Sequence, residues 1–320
     1  MTNRPRVALV TGATQGLGLA LLEGLAERLG AGDIVYATGR DRDGLARITA
    51  GLADSGAEVR GEFFDVADPD RAEELAAALT RRHRGVDIVF NNAVMRVGPD
   101  DDPRAVVDHY AEVNNFGTTR VLRAFAPRLR DGGRLVVVTS ALGTLSYLAP
   151  VLHGRFDGLA TLDDVDRSVA AWRDAVRDGS AFAGPWPAFV NIPSKIGQVA
   201  AVRTLARQRR ADDLPRDVLI AAVCPGMMNT PTSQAWWDVS DAPTPERAAR
   251  SRCPFVRRDG AVRRLLRCGA GQDRQRTDSA VLPKPHVQVV TIWMPSEQVV
   301  PEDRTPGQIH EKLRGREPLT

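Results

Sequence analysis

Cysteine is scarce in this 320-residue chain: Cys224, Cys253 and Cys268 are its three thiols, and no two form a C-x-x-C pair. That spacing excludes a disulfide scaffold and argues against a thiolate zinc site, so no metal centre is expected. Long apolar runs are missing too. The longest, such as Val218 to Cys224, fall far short of the ~20 residues a membrane helix needs. The N-terminus lacks a secretory apolar region, since Val7–Val10 ends at once in Thr-Gly. The expectation is a soluble, cytoplasmic protein with no membrane partner.

Lysine is the third shortage. Of 43 basic residues only Lys195, Lys284 and Lys312 are lysines. Where Arg is the default cation, a lone Lys in the first 283 residues marks a place that needs an ammonium. The arginines cluster: ten lie between Arg247 and Arg276 against two Asp. A single aromatic, Phe255, lies among them, where single-strand binding would require several interleaved. The stretch reads as a solvated tail, and no nucleic acid is expected as partner.

What is present is a strand–helix rhythm. Apolar runs at Val7–Val10, Ile34–Thr38, Glu58–Phe64, Val86–Phe90 and Leu135–Thr139 alternate with amphipathic stretches at Leu17–Leu29, Leu45–Asp54, Arg71–Arg82 and Val106–Leu129. This alternation predicts a parallel sheet covered on both faces: an α/β, Rossmann-type, doubly wound single domain over residues 1–240. Residues 141–190 break the rhythm as a helical insertion. In it Thr161 caps a helix whose apolar positions Leu162, Val165, Val169, Trp172 and Val176 recur at three- and four-residue steps. Helix Ser194–Arg209 and strand Val218–Val223 follow. Residues 241–320 hold nine of the 21 prolines and form a divergent C-terminal segment, tail or substrate-side, in which only His286–Met294 has a strand pattern.

The first strand runs directly into Thr11-Gly12-Ala13-Thr14-Gln15-Gly16-Leu17-Gly18 and then a helix. Glycines permit a tight turn and close backbone approach, and a helix N-terminus offers free N–H groups to a pyrophosphate. Placed after the first strand of such a sheet, the loop predicts a dinucleotide. The second strand ends at Arg40, where an acidic residue would bond ribose hydroxyls. Arginine can instead pair with a 2′-phosphate, so NADP(H) is favoured over NAD(H).

With Asp65-Val66 after the third strand, Asn91-Asn92-Ala93 after the fourth, Asn114 with Gly117, Ser140 at the end of the fifth, Lys195 on the next helix, and Pro225-Gly226 through Thr230, the chain resembles the short-chain dehydrogenase/reductase family over about residues 5–230. Asn114-Asn115-Phe116-Gly117-Thr118 and the long interval between Ser140 and the next site helix resemble its carbonyl-reductase branch. The resemblance implies that Gly12, Thr14, Gln15, Gly16, Leu17 and Gly18 hold the cofactor phosphates. It implies that Asp65 and Val66 flank the adenine, that Asn91, Asn92 and Ala93 line the groove, and that Pro225, Gly226 and Thr230 meet the nicotinamide end. Lys195 bonds the nicotinamide ribose, Ser140 holds a substrate carbonyl oxygen, and Asn114 supports a water relay to Lys195. The insertion covers the face other members use to dimerise, which implies a monomer acting on a small molecule.

The departure is Asn191. The family's proton donor is a Tyr four residues before the Lys, and here Phe189-Val190-Asn191-Ile192-Pro193-Ser194-Lys195 puts Asn there. An amide donates a hydrogen bond but is no acid, and general acid catalysis contributes about 10²–10⁴-fold. Val94 also replaces the usual last Gly of Asn-Asn-Ala-Gly, and Gln15 a common basic residue. Three readings stay open: a re-routed carbonyl reductase, with Tyr147 or His153 among the other groups near its pocket; a non-redox cyclase, isomerase or dehydratase; and a nucleotide-binding pseudoenzyme.

Overall fold

The computed structural model describes residues 4–252 and 291–293. Cys253, Cys268, Lys284, Lys312, most of the Arg-rich stretch and most of the His286–Met294 run lie outside those residues. Among the described residues seven strands form one parallel sheet: β1 (Val7–Thr11), β2 (Ile34–Gly39), β3 (Glu58–Phe63), β4 (Val86–Asn91), β5 (Leu129–Val138), β6 (Leu219–Cys224) and β7 (Thr291–Trp293). Their order is β3-β2-β1-β4-β5-β6-β7. The inner strands are buried on both sides, β1 and β2 at every residue. This is why their sequences are continuous apolar runs rather than alternating ones.

The helices are α1 (Gly16–Arg28), α2 (Arg42–Gly51), α3 (Arg71–His83), α4 (Pro103–Ala111), α5 (Gly117–Phe125), α6 (Leu162–Asp178), α7 (Ser180–Ala183), α8 (Asn191–Gln208), α9 (Arg210–Asp213), α10 (Pro231–Gln234) and α11 (Pro245–Arg252). Helices α1, α2 and α11 cover one face, around Leu21, Leu22, Leu25, Leu45 and Ala249. Helices α3, α4, α5, α6 and α8 cover the other, around Leu79, Val107, Leu122, Trp172 and Val202. No helix among the described residues is long and apolar enough to cross a membrane.

Helix α6 forms where its periodicity and cap predict it. Thr161 and Asp164 make reciprocal cap bonds, Asp164 N to Thr161 Oγ1 at 3.1 Å and Thr161 N to Asp164 Oδ2 at 2.8 Å, and all five of its spaced apolar residues are buried. It packs on α4 and α8, as an outer layer over the helices that carry the site.

Helices α2, α4 and α8 each begin three residues earlier than their sequence pattern, and two departures are larger. Strand β5 begins at Leu129, six residues before the apolar run, and carries Asp131-Gly132-Gly133 across a register shift opposite Val86/Ile88. Its polar start survives burial because Arg130 pairs with Asp87 at 2.6 Å and Arg134 with Asp217 at 2.9 Å. The single helix expected over Val106–Leu129 is interrupted. A π-helical turn at Glu112–Phe116 separates α4 from α5 and re-aims the side chains that follow.

The chain leaves β3 at one edge and returns to place β4 beside β1. That reversal opens a crevice at the carboxyl ends of β1 and β4, where open α/β sheets hold ligands.

Candidate active site

The crevice is tied together by its own polar groups. Thr11 Oγ1 accepts from the backbone N–H of Asn92 and of Ala93, both at 2.9 Å, and donates to Asn91 Oδ1 at 3.3 Å. Asn92 Nδ2 donates to the Thr11 and Gly12 carbonyls at 3.1 and 3.3 Å. Asn91 Nδ2 reaches Thr118 Oγ1 at 3.0 Å. These bonds pull the two strand ends close enough that side chains no longer fit between them. A methyl group at Gly12 (φ +64°) would sit 2.9 Å from Ala93 Cα, and one at Gly18 would strike the Gly12 carbonyl oxygen. Thr14 packs its methyl toward Gly39, and the part-buried Leu17 joins the core beneath.

Above this floor the first turn of α1 has neither a side-chain cap on Gln15 nor an acidic residue. Its leading N–H groups and the positive end of the helix face the loop. The exposed Arg96 guanidinium lies 3.7 Å from where a Gly16 methyl would be, adding a cation that the sequence pattern does not single out. This donor set fits a dianionic pyrophosphate. At the far end of the crevice the exposed Arg40 faces Asp65 across 3.7 Å, and Asp65 holds its loop by accepting from Ala67 N at 2.9 Å. Val66 is buried beneath Gly117, whose methyl would lie 3.0 Å from it.

Across the crevice, α8 docks on the π-helical turn. Asn114 grips the loop after β4, accepting from Met95 N at 2.8 Å and donating to Met95 O at 3.1 Å. Its neighbour faces the other way: Asn115 Nδ2 donates to Ser194 O at 2.9 Å and Oδ1 accepts from Ser194 Oγ at 2.8 Å. Consecutive asparagines thus fasten one turn to two different elements.

Lys195 is buried, 8% exposed. Its Nζ donates to Gln198 Oε1 at 2.8 Å, and Gln198 Nε2 donates to the Asn114 carbonyl at 2.7 Å and to Thr118 Oγ1 at 3.0 Å. The link from Lys195 to Asn114 that the resemblance assigns to water is made here by a side-chain amide. Gln198 had a signal in the sequence, lying three residues from Lys195 on the same helical face. Burial lowers the Lys195 pKa from 10.5 to about 8, partly opposed by the nearby Cys224. The group stays cationic at neutral pH and close to its transition.

Asn191 opens α8, half-buried. Its Oδ1 accepts from the hydroxyl of Tyr110, on α4, at 2.6 Å. Tyr110 carried no signal in the sequence, because the contact bridges helices 81 residues apart. Burial pushes its pKa up to about 12, against the pull of Ser194 and Asn114.

Ser140 follows β5 and its Oγ accepts from Leu142 N at 3.3 Å, which leaves its proton to donate. The short turn after it packs tightly on α8: a methyl at Gly143 would lie 2.7 Å from Val199 Cγ2. Pro225 and Gly226 (φ +78°) follow β6 directly, and Thr230 Oγ1 caps α10 through Ser233 N at 3.2 Å. Tyr147 is half-buried against the core, and His153 spends a ring nitrogen on the Leu148 carbonyl at 3.1 Å.

Known proteins resemble this chain in sequence and fold. Residues 6–151 match the family model described as short chain dehydrogenase. Over 242 residues the chain is 31% identical to mouse carbonyl reductase 3 (NADPH), covering 72% of this chain and 84% of that protein. A dehydrogenase for 1-deoxy-11-beta-hydroxypentalenate from Streptomyces avermitilis is 39% identical over 163 residues, 46% of this chain and 58% of that one. Among solved structures, menthone neomenthol reductase from Mentha piperita superposes with a TM-score of 0.60 at 23% identity, covering 69% of this chain and 89% of that one. A short chain dehydrogenase from Burkholderia cenocepacia in complex with NADP gives 0.55 at 22% identity, covering 79% and 90%.

Proposed function

The chain belongs to the short-chain dehydrogenase/reductase family and is carbonyl-reductase-like, and from that premise we propose that it is an NADPH-dependent reductase of a small ketone-bearing molecule, with its proton delivery re-routed. A bound nicotinamide would supply the hydride. Around it, the α1 N-terminus, the glycine loop and Arg96 bind phosphate, while Arg40, free to swing from Asp65, selects a 2′-phosphate. The names of the mammalian relatives carry NADPH as well.

The observation that carries the reading is the Lys195–Gln198–Asn114 chain. A cation this buried is costly unless it is used. With a pKa near 8, Lys195 holds a proton at neutrality that it can release toward a developing alkoxide and regain through solvent. Ser140 and the Asn191 amide serve as hydrogen-bond donors to the same oxygen. Reduction then adds one hydride and one proton to the carbonyl, and no acidic residue at position 191 is needed. With α6 laid over α4 and α8, a monomer is the proposed state.

Asn191 itself favours a second reading, in which the same donors stabilise an enolate and the chemistry is an isomerisation or cyclisation. The test follows NADPH absorbance and product mass together, with quinones and diketones as probes. Stoichiometric NADPH oxidation with a two-dalton gain supports the reductase. A changed product with unchanged absorbance supports the alternative.

A further inference from the structure

Asparagine at a reacting centre is ambiguous, because its amide can present either oxygen or N–H₂ to a ligand. The oxygen would repel a carbonyl oxygen and the N–H₂ would bind it. What decides between them is the group behind the side chain. Here that group is Tyr110, fully buried on α4 at 1% exposure, with its hydroxyl 2.6 Å from Asn191 Oδ1.

A neutral phenol has one proton to give. Asn191 Oδ1, an acceptor only, takes it. The Ser194 hydroxyl gives its own proton to Asn115 Oδ1 at 2.8 Å, and the Asn114 amide bonds the Met95 backbone at both ends. Since the Tyr110 pKa is raised to about 12 by burial, the hydroxyl remains a donor across neutral pH. Asn191 Nδ2 has no hydrogen-bond partner among the described residues, and the residue is only half-buried.

We propose that Tyr110 is a positioning residue: its hydroxyl locks the Asn191 amide with Oδ1 inward, so that Nδ2 faces the cleft as a donor to the substrate oxygen. The inference rests on the reading of Asn191 as part of the reaction site. It accounts for Tyr110 being a tyrosine at a position where a phenyl ring alone would fill the core. It also makes the acid's replacement a pair of residues, an amide to bind the oxygen and a phenol to hold the amide.

The test uses Tyr110→Phe in the full-length protein, which keeps the ring and removes only the hydroxyl. Side-chain amide NMR of the ¹⁵N-labelled protein, with Asn191 assigned by its loss in Asn191→Ala, reads the lock without any turnover. The expected result is a shift of the Asn191 Nδ2 pair in Tyr110→Phe, with the Asn92 pair, bonded to the Thr11 and Gly12 carbonyls, in place. An unmoved Asn191 pair overturns the proposal. The kinetic arm uses NADPH and a diketone. Tyr110→Phe should lower kcat roughly ten-fold with KM for NADPH unchanged, as expected when a positioned donor is loosened. In an Asn191→Ala background the same change should cost less than about two-fold. Equal losses in both backgrounds overturn the positioning role. If wild type shows no NADPH turnover while the amide pair still shifts, the reductase reading falls and the lock stands.

Discussion

The two sides of the crevice keep their shape by different means. On the β1/β4 side, backbone meets backbone, and Thr11, Asn91 and Asn92 hold strand ends so close that glycine is required. On the α4/α8 side, side chains meet side chains: Tyr110 with Asn191, Asn115 with Ser194, Gln198 with Lys195. A backbone cradle tolerates little substitution because any added atom collides. A side-chain network can exchange partners so long as each buried polar group is satisfied. By this contrast the α4/α8 side has more room for substitution than the glycine loop.

The largest effect expected is at Gly18. Gly18→Ala should abolish nucleotide binding, measured by fluorescence titration, and cost on the order of 3 kcal/mol of stability in denaturant unfolding, because the methyl strikes the Gly12 carbonyl. Near wild-type affinity would show that the cradle is softer than its spacing implies.

On the opposite side, Lys195→Met should reduce ketone-dependent turnover about 100-fold or more and yet stabilise the fold near neutrality. The sign follows from burial. The Lys195 pKa is lower in the folded state, about 8 against 10.5, so between those values the unfolded chain binds more protons and stability rises with pH. The burial penalty, on the order of 3 kcal/mol, is fully present below pH 8 and gone above 10.5. Urea unfolding at pH 7 and pH 10.5 should show that rise in wild type and lose it in Lys195→Met. Identical slopes would mean the ammonium is solvated.

A smaller loss is expected at Thr11. Thr11→Val keeps the shape and removes the bonds from the part-buried N–H groups of Asn92 and Ala93, at roughly 0.5–1.5 kcal/mol for each. It should weaken nucleotide binding more than Tyr110→Phe does. The reverse ranking would break the distinction between the two sides. Smallest is Arg40→Ala, which should erase about ten-fold preference for NADPH over NADH, in line with one lost charge-assisted pair. An unaltered preference would move the selection elsewhere, with Arg96 the next residue to replace.

Most of the β1/β4 side of the crevice is legible in the sequence, because its constraints are local. The glycine spacing, the buried strand before it and Arg40 at the next strand end all lie within 40 residues. Helix α6 was legible for the same reason, through its cap and its 3.6-residue period. Lys195 stood out by rarity. Tyr110 did not, since nothing near it in the chain marks it: its role arises only when α4 packs on α8. The π-helical turn is hidden as well, because one wider turn within a continuous helical run leaves no compositional trace. The apolar pattern shows β5 only from Leu135, because Asp131-Gly132-Gly133 has the composition of a turn and the ion pairs of Arg130 and Arg134 on either side are long-range.

At this site the proposed hydride chemistry runs with an amide, Asn191, four residues before Lys195. It is tested most directly by isotope transfer. The purified protein is incubated with NADPH deuterated at the nicotinamide C4 and a panel of diketones and quinones, and the products are read by mass spectrometry. The account predicts one deuterium on the new carbinol carbon for each NADPH oxidised, with slow turnover that accelerates toward low pH. Product formed without deuterium and without loss of NADPH absorbance would contradict it.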